Sequence, residues 1–543
     1  MFDDEGRRLP DVNPVAVRSI RQIGFLYKKV KMPVNIKLSK KSLEEYVDTD
    51  RSLSGLLDRI SPDYLDLFDK VSRVVVSQVC GRSINFYDEL LPHHGPGGTA
   101  ERVSGNRKYD PRHYQWYPQL DSVFRMEDTL YSSDEAYKES LESVHVGEVP
   151  AVRVITVPKT QTSERVIALE PVAIQATQQS IKDYLVRRIE ANKLTGGHVN
   201  FTDQSINQRL ALSSSVTRSL ATLDLKSASD RVHKDLVWRM FSVNPEMRTA
   251  IFATRSPQAD VGGCILQLEK YASMGSALCF PVESLFFYVI LLVSALKRRD
   301  LPSTYDSIKR VTRNLYVYGD DIICPVDEVE DAVKTLHMFG CVVGLDKSYW
   351  LSPFRESCGV DAYMGVDVTP VYMRKFIPDV QLDKRRKPLI GPDAAAALIS
   401  CTATANLFKI KGFHRTAEAL KAEVEDVLGT LPIVSANASG LGWIWDTGVY
   451  TMKSRWNRSL HRMEVLTYVP SPIYKQDRVD GWHALTKCLL RATLRSNVGQ
   501  EKPDPWRDPI ERITTLAEAV DTQHLARSPR HGAVTLKRRW VTP

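Results

Sequence analysis

In the run Leu315-Tyr316-Val317-Tyr318-Gly319-Asp320-Asp321-Ile322-Ile323-Cys324, two adjacent carboxylates follow a glycine between two short β-branched and aromatic segments. Tyr, Val and Ile favour pleated, half-buried strands and Gly319 permits a tight backbone, so the run predicts a hairpin with acid at its tip. Two aspartates at one turn repel each other and call for a cation. Their hard oxygens suit magnesium or manganese engaged with a phosphate-bearing substrate. Tyr-Gly-Asp-Asp arises by chance in roughly one chain of this length in a few hundred, which makes a plain acidic surface turn the weaker account.

At 543 residues the chain exceeds one ordinary core, and length predicts roughly two to four lobes. With 43% hydrophobic and 25% charged residues, the composition is that of a soluble globular protein. The net charge of +8 is modest, but it is unevenly placed. Between Val12 and Leu43 stand Arg18, Arg21, Lys28, Lys29, Lys31, Lys37, Lys40 and Lys41 with no acid, and Thr522–Pro543 carries five more basic residues, again with no acid. Such ends fit a polyanion such as nucleic acid, or more plainly a solvated face or tail. The eight cysteines form no C-x-x-C pair and read as free thiols of a reducing cytoplasm. Met1-Phe2-Asp3-Asp4-Glu5 is too acidic for a secretory signal, and the apolar run Leu285–Leu296, at 12 residues, predicts a buried helix and no membrane span.

Periodicity predicts helices over Leu43–Val71 and Gln175–Ile189 and a strand pair, Val152–Val157 with Arg165–Leu169. The middle reads as strand Ala221–Leu225, helices Arg231–Phe241 and Ser284–Lys297, the acidic hairpin, helix Val329–Phe339 and short strands from Val360 onward. From about 379 the pattern is mainly helical, with Ala394–Ala405 and Thr416–Leu428 clearest. The fold class is α+β, a sheet layered on helices.

Three further segments carry candidate chemistry. Asp224-Leu225-Lys226-Ser227-Ala228-Ser229-Asp230 puts Asp224 at a strand end, with Ser227 or Ser229 as cap of the next helix. With the hairpin, Asp224 could complete a three-carboxylate site for two metal ions about 3.5–4 Å apart, one activating a 3′-hydroxyl and one holding a triphosphate; alone, it would read as a helix cap. Asp230 could face the ribose. The polar loop Val157–Arg165 carries Lys159 and Arg165, suited to charge-assisted contacts with phosphate. Ser273-Met274-Gly275-Ser276 is a small-residue loop leading into the buried helix, either a close approach to a nucleotide or a simple entry turn.

In this order the four elements resemble the motifs of right-handed polymerases. With Asp203–Arg209 and Phe354-Arg355-Glu356-Ser357-Cys358-Gly359, they look like the replicase subunit of positive-strand RNA bacteriophages, the levivirus group, from about Val152 to about Lys375. The resemblance implies a right-handed polymerase fold: fingers over 1–217 with the basic segment, palm over 218–378 with a fingers insertion at about 247–270, and thumb plus a C-terminal helical region over 379–543. It implies an RNA-directed RNA polymerase that replicates a phage genome in the host bacterial cytoplasm. Asp224 and Asp320 would be the principal Mg2+ ligands, Mn2+ being a possible substitute, with Asp321 beside them. Lys159 and Arg165 would contact incoming phosphates, Asp230, Gly275 and Ser276 would surround the ribose, and Lys347 would protonate pyrophosphate. The implied partners are RNA template and product, ribonucleoside triphosphates, host elongation factors Tu and Ts, and a ribosomal RNA-binding protein on some templates.

Two positions depart from the pattern: Cys279 stands where a threonine or asparagine is common, and Thr162 where these enzymes often carry a lysine. The segment Gly340–Ser348 has the wrong spacing for a P-loop, which excludes that type of ATPase. A reverse transcriptase would usually carry Ala or Met in place of Gly319 and a bulky aromatic near Asp224. A catalytically silent RNA-binding relative would be expected to lose carboxylates, yet Asp224, Asp320 and Asp321 are all present.

Overall fold

The computed structural model describes residues 5, 12–33, 35–86, 90, 92–126, 145–381, 388–444, 453–497 and 523–543. Helices α1 (Pro14–Phe25) and α2 (Ile36–Arg51) each start at an asparagine, Asn13 and Asn35, whose side chain accepts from the first free backbone N–H groups. α3 (Pro62–Cys80) follows. β1 (Val152–Pro158) and β2 (Glu164–Leu169) form an antiparallel pair, then come α4 (Val172–Ala191) and α5 (Ser205–Thr217). Beyond β3 (Leu220–Asp224), α6 (Lys234–Met240) and α7 (Pro245–Ala253), a hairpin of β4 (Gln258–Val261) and β5 (Cys264–Gln267) returns to β1. β4 lies parallel to β1, giving a sheet of order β2-β1-β4-β5 that joins the stretch near 247–270 to the N-terminal region.

α8 (Cys279–Arg298) is mostly apolar and is buried around its whole circumference, which makes it a core element. Among the described residues it is the one helix long and apolar enough to cross a membrane, and 94% of its apolar window is buried inside the protein. Its Phe286, Phe287 and Leu285 join α3, α4 and the following hairpin in one large core. Each such side chain, fully buried, is worth about 1.5–3 kcal/mol. After α9 (Tyr305–Val311), strands β6 (Tyr316–Tyr318) and β7 (Asp321–Pro325) lead into α10 (Val329–Met338). The sheet order is β3-β7-β6 with β7 in the middle, and Ile322, Ile323 and Cys324 are all buried instead of alternating, as in a strand covered on both faces.

β8 (Phe354–Ser357), β9 (Val360–Tyr363) and β10 (Val366–Asp367) form a small antiparallel sheet against α5. α11 (Pro392–Ile410) and α12 (His414–Leu428) pack as a pair around Phe408 and Trp443, in a second core that also takes Val30. The remainder departs from the helical expectation. β11 (Ser454–Asn457), β12 (Arg462–Gln476) and, beyond α13 (Gly481–Asn497), β13 (Arg527–Val541) make a three-stranded antiparallel sheet. Pro470 and Pro472 argue locally against a strand, but β11 pairs only with Arg462–Val465, so both prolines fall where β12 has no second neighbour.

Both basic segments are folded. Arg21 pairs with Asp361, and Gln22 exchanges two 2.8 Å hydrogen bonds with the Val371 backbone. The C-terminal basic residues lie on β13, and Thr522 is outside the described residues.

Candidate active site

The acids are assembled by strand register. Asp224 ends β3 directly opposite Asp321, which begins β7, and Tyr318 is also opposite Asp321, so Gly319 and Asp320 form a two-residue turn. Gly319 has φ +61, and a Cβ there would stand 2.5 Å from the Phe280 ring. Only glycine fits this turn without strain. The Gly319 N–H donates to Ser284 Oγ at 3.1 Å, which anchors the turn to α8. Asp320 is exposed; Asp224 and Asp321 are half-buried.

A loop after α10 is laced to β3. Lys226 N–H donates to the Val342 carbonyl at 2.8 Å, Gly344 N–H to the Asp224 carbonyl at 2.8 Å, and Tyr349 N–H to the Thr222 carbonyl at 2.7 Å. Ser348 Oγ accepts from the Asp224 N–H at 3.1 Å. This lacing brings Lys347 Nζ to 3.5 Å from Asp224 Oδ2. Burial raises the Asp224 pKa against the pull of Lys347, and Asp320 adds to the rise. Burial works against the charge on Lys347, but Asp224, joined by Glu356 and Asp346, raises its pKa on balance, so this ammonium holds its proton. Asp321 is turned elsewhere: its Oδ2 accepts from the Cys358 N–H, at the β8–β9 turn, at 2.9 Å. Burial, then the charge of Asp320, pushes its pKa up to about 7.

The β1–β2 loop supplies the other cations. Lys159 N–H donates to the Ser163 carbonyl at 3.3 Å, which closes the loop. Burial lowers the Lys159 pKa and the charges of Arg165 and Lys347 add to this, while Asp320 and Asp224 act in the opposite sense. Lys159 therefore lies within electrostatic reach of both acids. Arg165 pairs with Val157 at the same end of the hairpin.

The small-residue loop packs on β2. Ala168 N–H donates to the Met274 carbonyl at 2.8 Å, and Gly275, at φ +125, sits so close that any Cβ would collide with the Ala168 carbonyl. Gly275 is exposed and Ser276 buried, the latter lining a small cavity with Glu170, Gln178 and Ser273. Asp230 lies in the 3-10 turn Ser229–Arg231 and pairs with Lys270 at 3.0 Å. It caps no helix: α6 is capped by His233, whose Nδ1 accepts from the Asp235 N–H at 3.1 Å. Ser227 and Ser229, expected as caps, precede that position, and Ser227 adopts φ +50.

Three neighbours escape a reading of the sequence. Glu356 on β8 donates its N–H to Thr222 Oγ1 at 3.2 Å, and burial, Asp361 and Asp224 all raise its pKa. Glu283 is buried on α8 beside Cys279, 3.6 Å from Sγ to Oε2, and its pKa is raised well above normal by burial and then by Asp320. Lys270 is fully buried. Glu356 was visible within a recognised motif, but only strand pairing places it beside Asp224.

Among the described residues no three His, Cys, Asp or Glu side chains are grouped to hold a metal ion. The donor set nevertheless suits a hard cation: Asp224 and Asp320 are carboxylates close enough for one to raise the other's proton affinity. One oxygen of Asp321 is engaged by the Cys358 amide.

A family model described as RNA replicase, beta-chain matches residues 74–382, which include every residue of this site. The chain is 34% identical over 227 residues to the RNA-directed RNA polymerase beta chain of Enterobacteria phage fr, covering 42% of this chain and 38% of that one. It is 35% identical over 227 residues to the RNA-directed RNA polymerase beta chain of Escherichia phage MS2, with the same coverage of 42% and 38%. To the RNA-directed RNA polymerase subunit beta of Enterobacteria phage SP it is 30% identical over 308 residues, 56% of this chain and 50% of that one. The chain thus matches half or less of the length of these relatives.

Proposed function

This chain belongs to the RNA replicase beta-chain family, and from that premise we propose that it is an RNA-directed RNA polymerase that copies a single-stranded RNA phage genome in the host cytoplasm. The observation that carries the reading is the convergence at one hairpin tip. Asp224 faces Asp321 across two strands, Asp320 occupies the turn, and Lys347 and Lys159 approach these acids from two other segments. A cation-flanked pair of acids suits nucleotidyl transfer from a triphosphate to a 3′-hydroxyl, with pyrophosphate as the leaving group.

Lys159 and Arg165 bind the triphosphate, Arg165 offering a two-pronged fork. Asp230 accepts from the ribose 2′-hydroxyl. Lys347, which holds its proton next to Asp224, donates it to the leaving pyrophosphate. Magnesium, or manganese in its place, would be held by Asp224 and Asp320 and would supply the positive charge that eases ionisation of a 3′-hydroxyl and offsets the charge on phosphate. In this reading 1–217 are fingers, 218–378 palm and 379–543 thumb with the C-terminal region. Host elongation factors Tu and Ts and a ribosomal RNA-binding protein are the proposed protein partners.

The test is incorporation by the full chain on an RNA template, with ribonucleotides and deoxyribonucleotides in parallel. Ribonucleotide incorporation that requires magnesium supports the reading. Preferred use of deoxyribonucleotides would make the chain a reverse transcriptase, and RNA binding with no incorporation, host factors supplied, a silent relative.

A further inference from the structure

Asp230 is not free to turn. Its Oδ1 accepts from Lys270 Nζ at 3.0 Å, while no hydrogen bond reaches Oδ2 among the described residues. Lys270 has 0% of its side chain exposed, and its ammonium sits 3.2 Å from the centroid of the Tyr46 ring. An ammonium so deeply buried is costly unless paired; here a carboxylate and an aromatic face share it. The backbone at Lys270 is clamped as well. The two Asp50 carboxylate oxygens accept from the Glu269 and Lys270 N–H groups, both at 3.1 Å. Tyr46 and Asp50 lie one turn apart on the same face of α2. The Tyr46 hydroxyl also meets Ser273 Oγ at 2.8 Å, at the start of the small-residue loop.

We propose that Lys270 is a positioning residue for sugar selection: wedged between Tyr46 and Asp230, its ammonium fixes one carboxylate oxygen and leaves the other aimed at a ribose 2′-hydroxyl. α2, an N-terminal helix remote in sequence, thereby sets the geometry of the ribose pocket. The inference rests on the proposed role of Asp230 and extends it to a residue that does not touch the nucleotide.

The full chain is assayed on an RNA template with ribo- and 2′-deoxyribonucleoside triphosphates. A site built to bond a hydroxyl discriminates against the analogue lacking it. Lys270→Met should therefore lower the ribose preference by about tenfold or more, through a raised KM for the ribonucleotide with deoxyribonucleotide use little changed. Asp230→Asn alone should do the same, and adding Lys270→Met to Asp230→Asn should change the preference no further, because both act through one carboxylate. Lys270→Gln removes the charge but keeps an N–H donor; it provides the same readout if Lys270→Met fails to fold, and should show a smaller loss. If Asp230→Asn relaxes the preference while the Lys270 variants keep it, the positioning role alone is overturned. An unchanged preference in Asp230→Asn overturns the Asp230 reading and this one with it. Lys270 variants that melt earlier but select ribose fully mark a purely structural pair, which also overturns the proposal.

Discussion

At the scale of single residues, the three aspartates are not equivalent. Asp224 and Asp320 are the acids flanked by cations, whereas Asp321 already spends an oxygen on the Cys358 amide. Asp224→Asn and Asp320→Asn should each reduce RNA synthesis by about a hundredfold or more, the scale of losing one preorganised electrostatic group, while RNA affinity measured by filter binding stays near normal. Asp321→Asn should cost less; equal losses in all three variants would refute this ranking. Glu170 offers a separate, acid-linked test. It is buried and accepts from Ser256 Oγ at 2.9 Å, and burial raises its pKa from 4.5 to about 7. Between those values the folded protein binds more protons than the unfolded chain, so this group's stabilisation is complete at low pH and is lost as pH rises towards 7 and beyond. Glu170→Gln should accordingly remove a pH-dependent loss of about 2–4 kcal/mol. Denaturant midpoints at pH 5 and pH 8 for both proteins would reveal it, and identical pH slopes would exclude it.

At the scale of elements, local signals placed most of the parts. The strands expected at Val152–Val157 and Arg165–Leu169 occur as Val152–Pro158 and Glu164–Leu169, and the acidic hairpin turns at Gly319 and Asp320. Local pattern missed how elements touch. Gly275 reads equally well as a nucleotide approach or an entry turn, yet its lack of a Cβ lets the loop lie against β2 at Ala168. Gly275→Ala should push the loop off β2, break the 2.8 Å bond from Ala168 N–H to the Met274 carbonyl, and destabilise the fold by about 1–3 kcal/mol, the cost of leaving a buried polar group unsatisfied. Calorimetry checks the stability, and a wild-type melting temperature would show that the loop relaxes freely. The helix cap was misplaced for a similar reason: Ser227 and Ser229 are good cap residues in isolation, but the chain there first makes a 3-10 turn, and His233 begins α6 instead.

At the scale of the whole molecule, the basic N-terminal segment ties together parts distant in sequence. Gln22 bonds the Val371 backbone in both directions, Arg21 pairs with Asp361, and Val30 enters the core around α11 and α12. Gln22→Ala would strand a buried N–H and a buried carbonyl and should cost about 2–4 kcal/mol, with faster proteolysis near residues 371–374; unchanged protease resistance would argue that the strap is dispensable. The β12–β13 sheet closes the other end: Asn106, near the N-terminal lobe, donates its N–H to Asp477 Oδ2 at 2.9 Å, and Lys487 bonds Asn106. By itself the sequence determined the acidic hairpin, the buried helix, the α+β class and the candidate acids of the site, because turn chemistry, apolar runs and short motifs are local in the chain. Tertiary structure alone decided that Asp224 faces Asp321, that Lys347 comes within 3.5 Å of Asp224, that Lys270 holds Asp230, and that the basic ends are folded parts. Each of these depends on strand register or on packing between residues tens to hundreds of positions apart, and no local pattern carries that information.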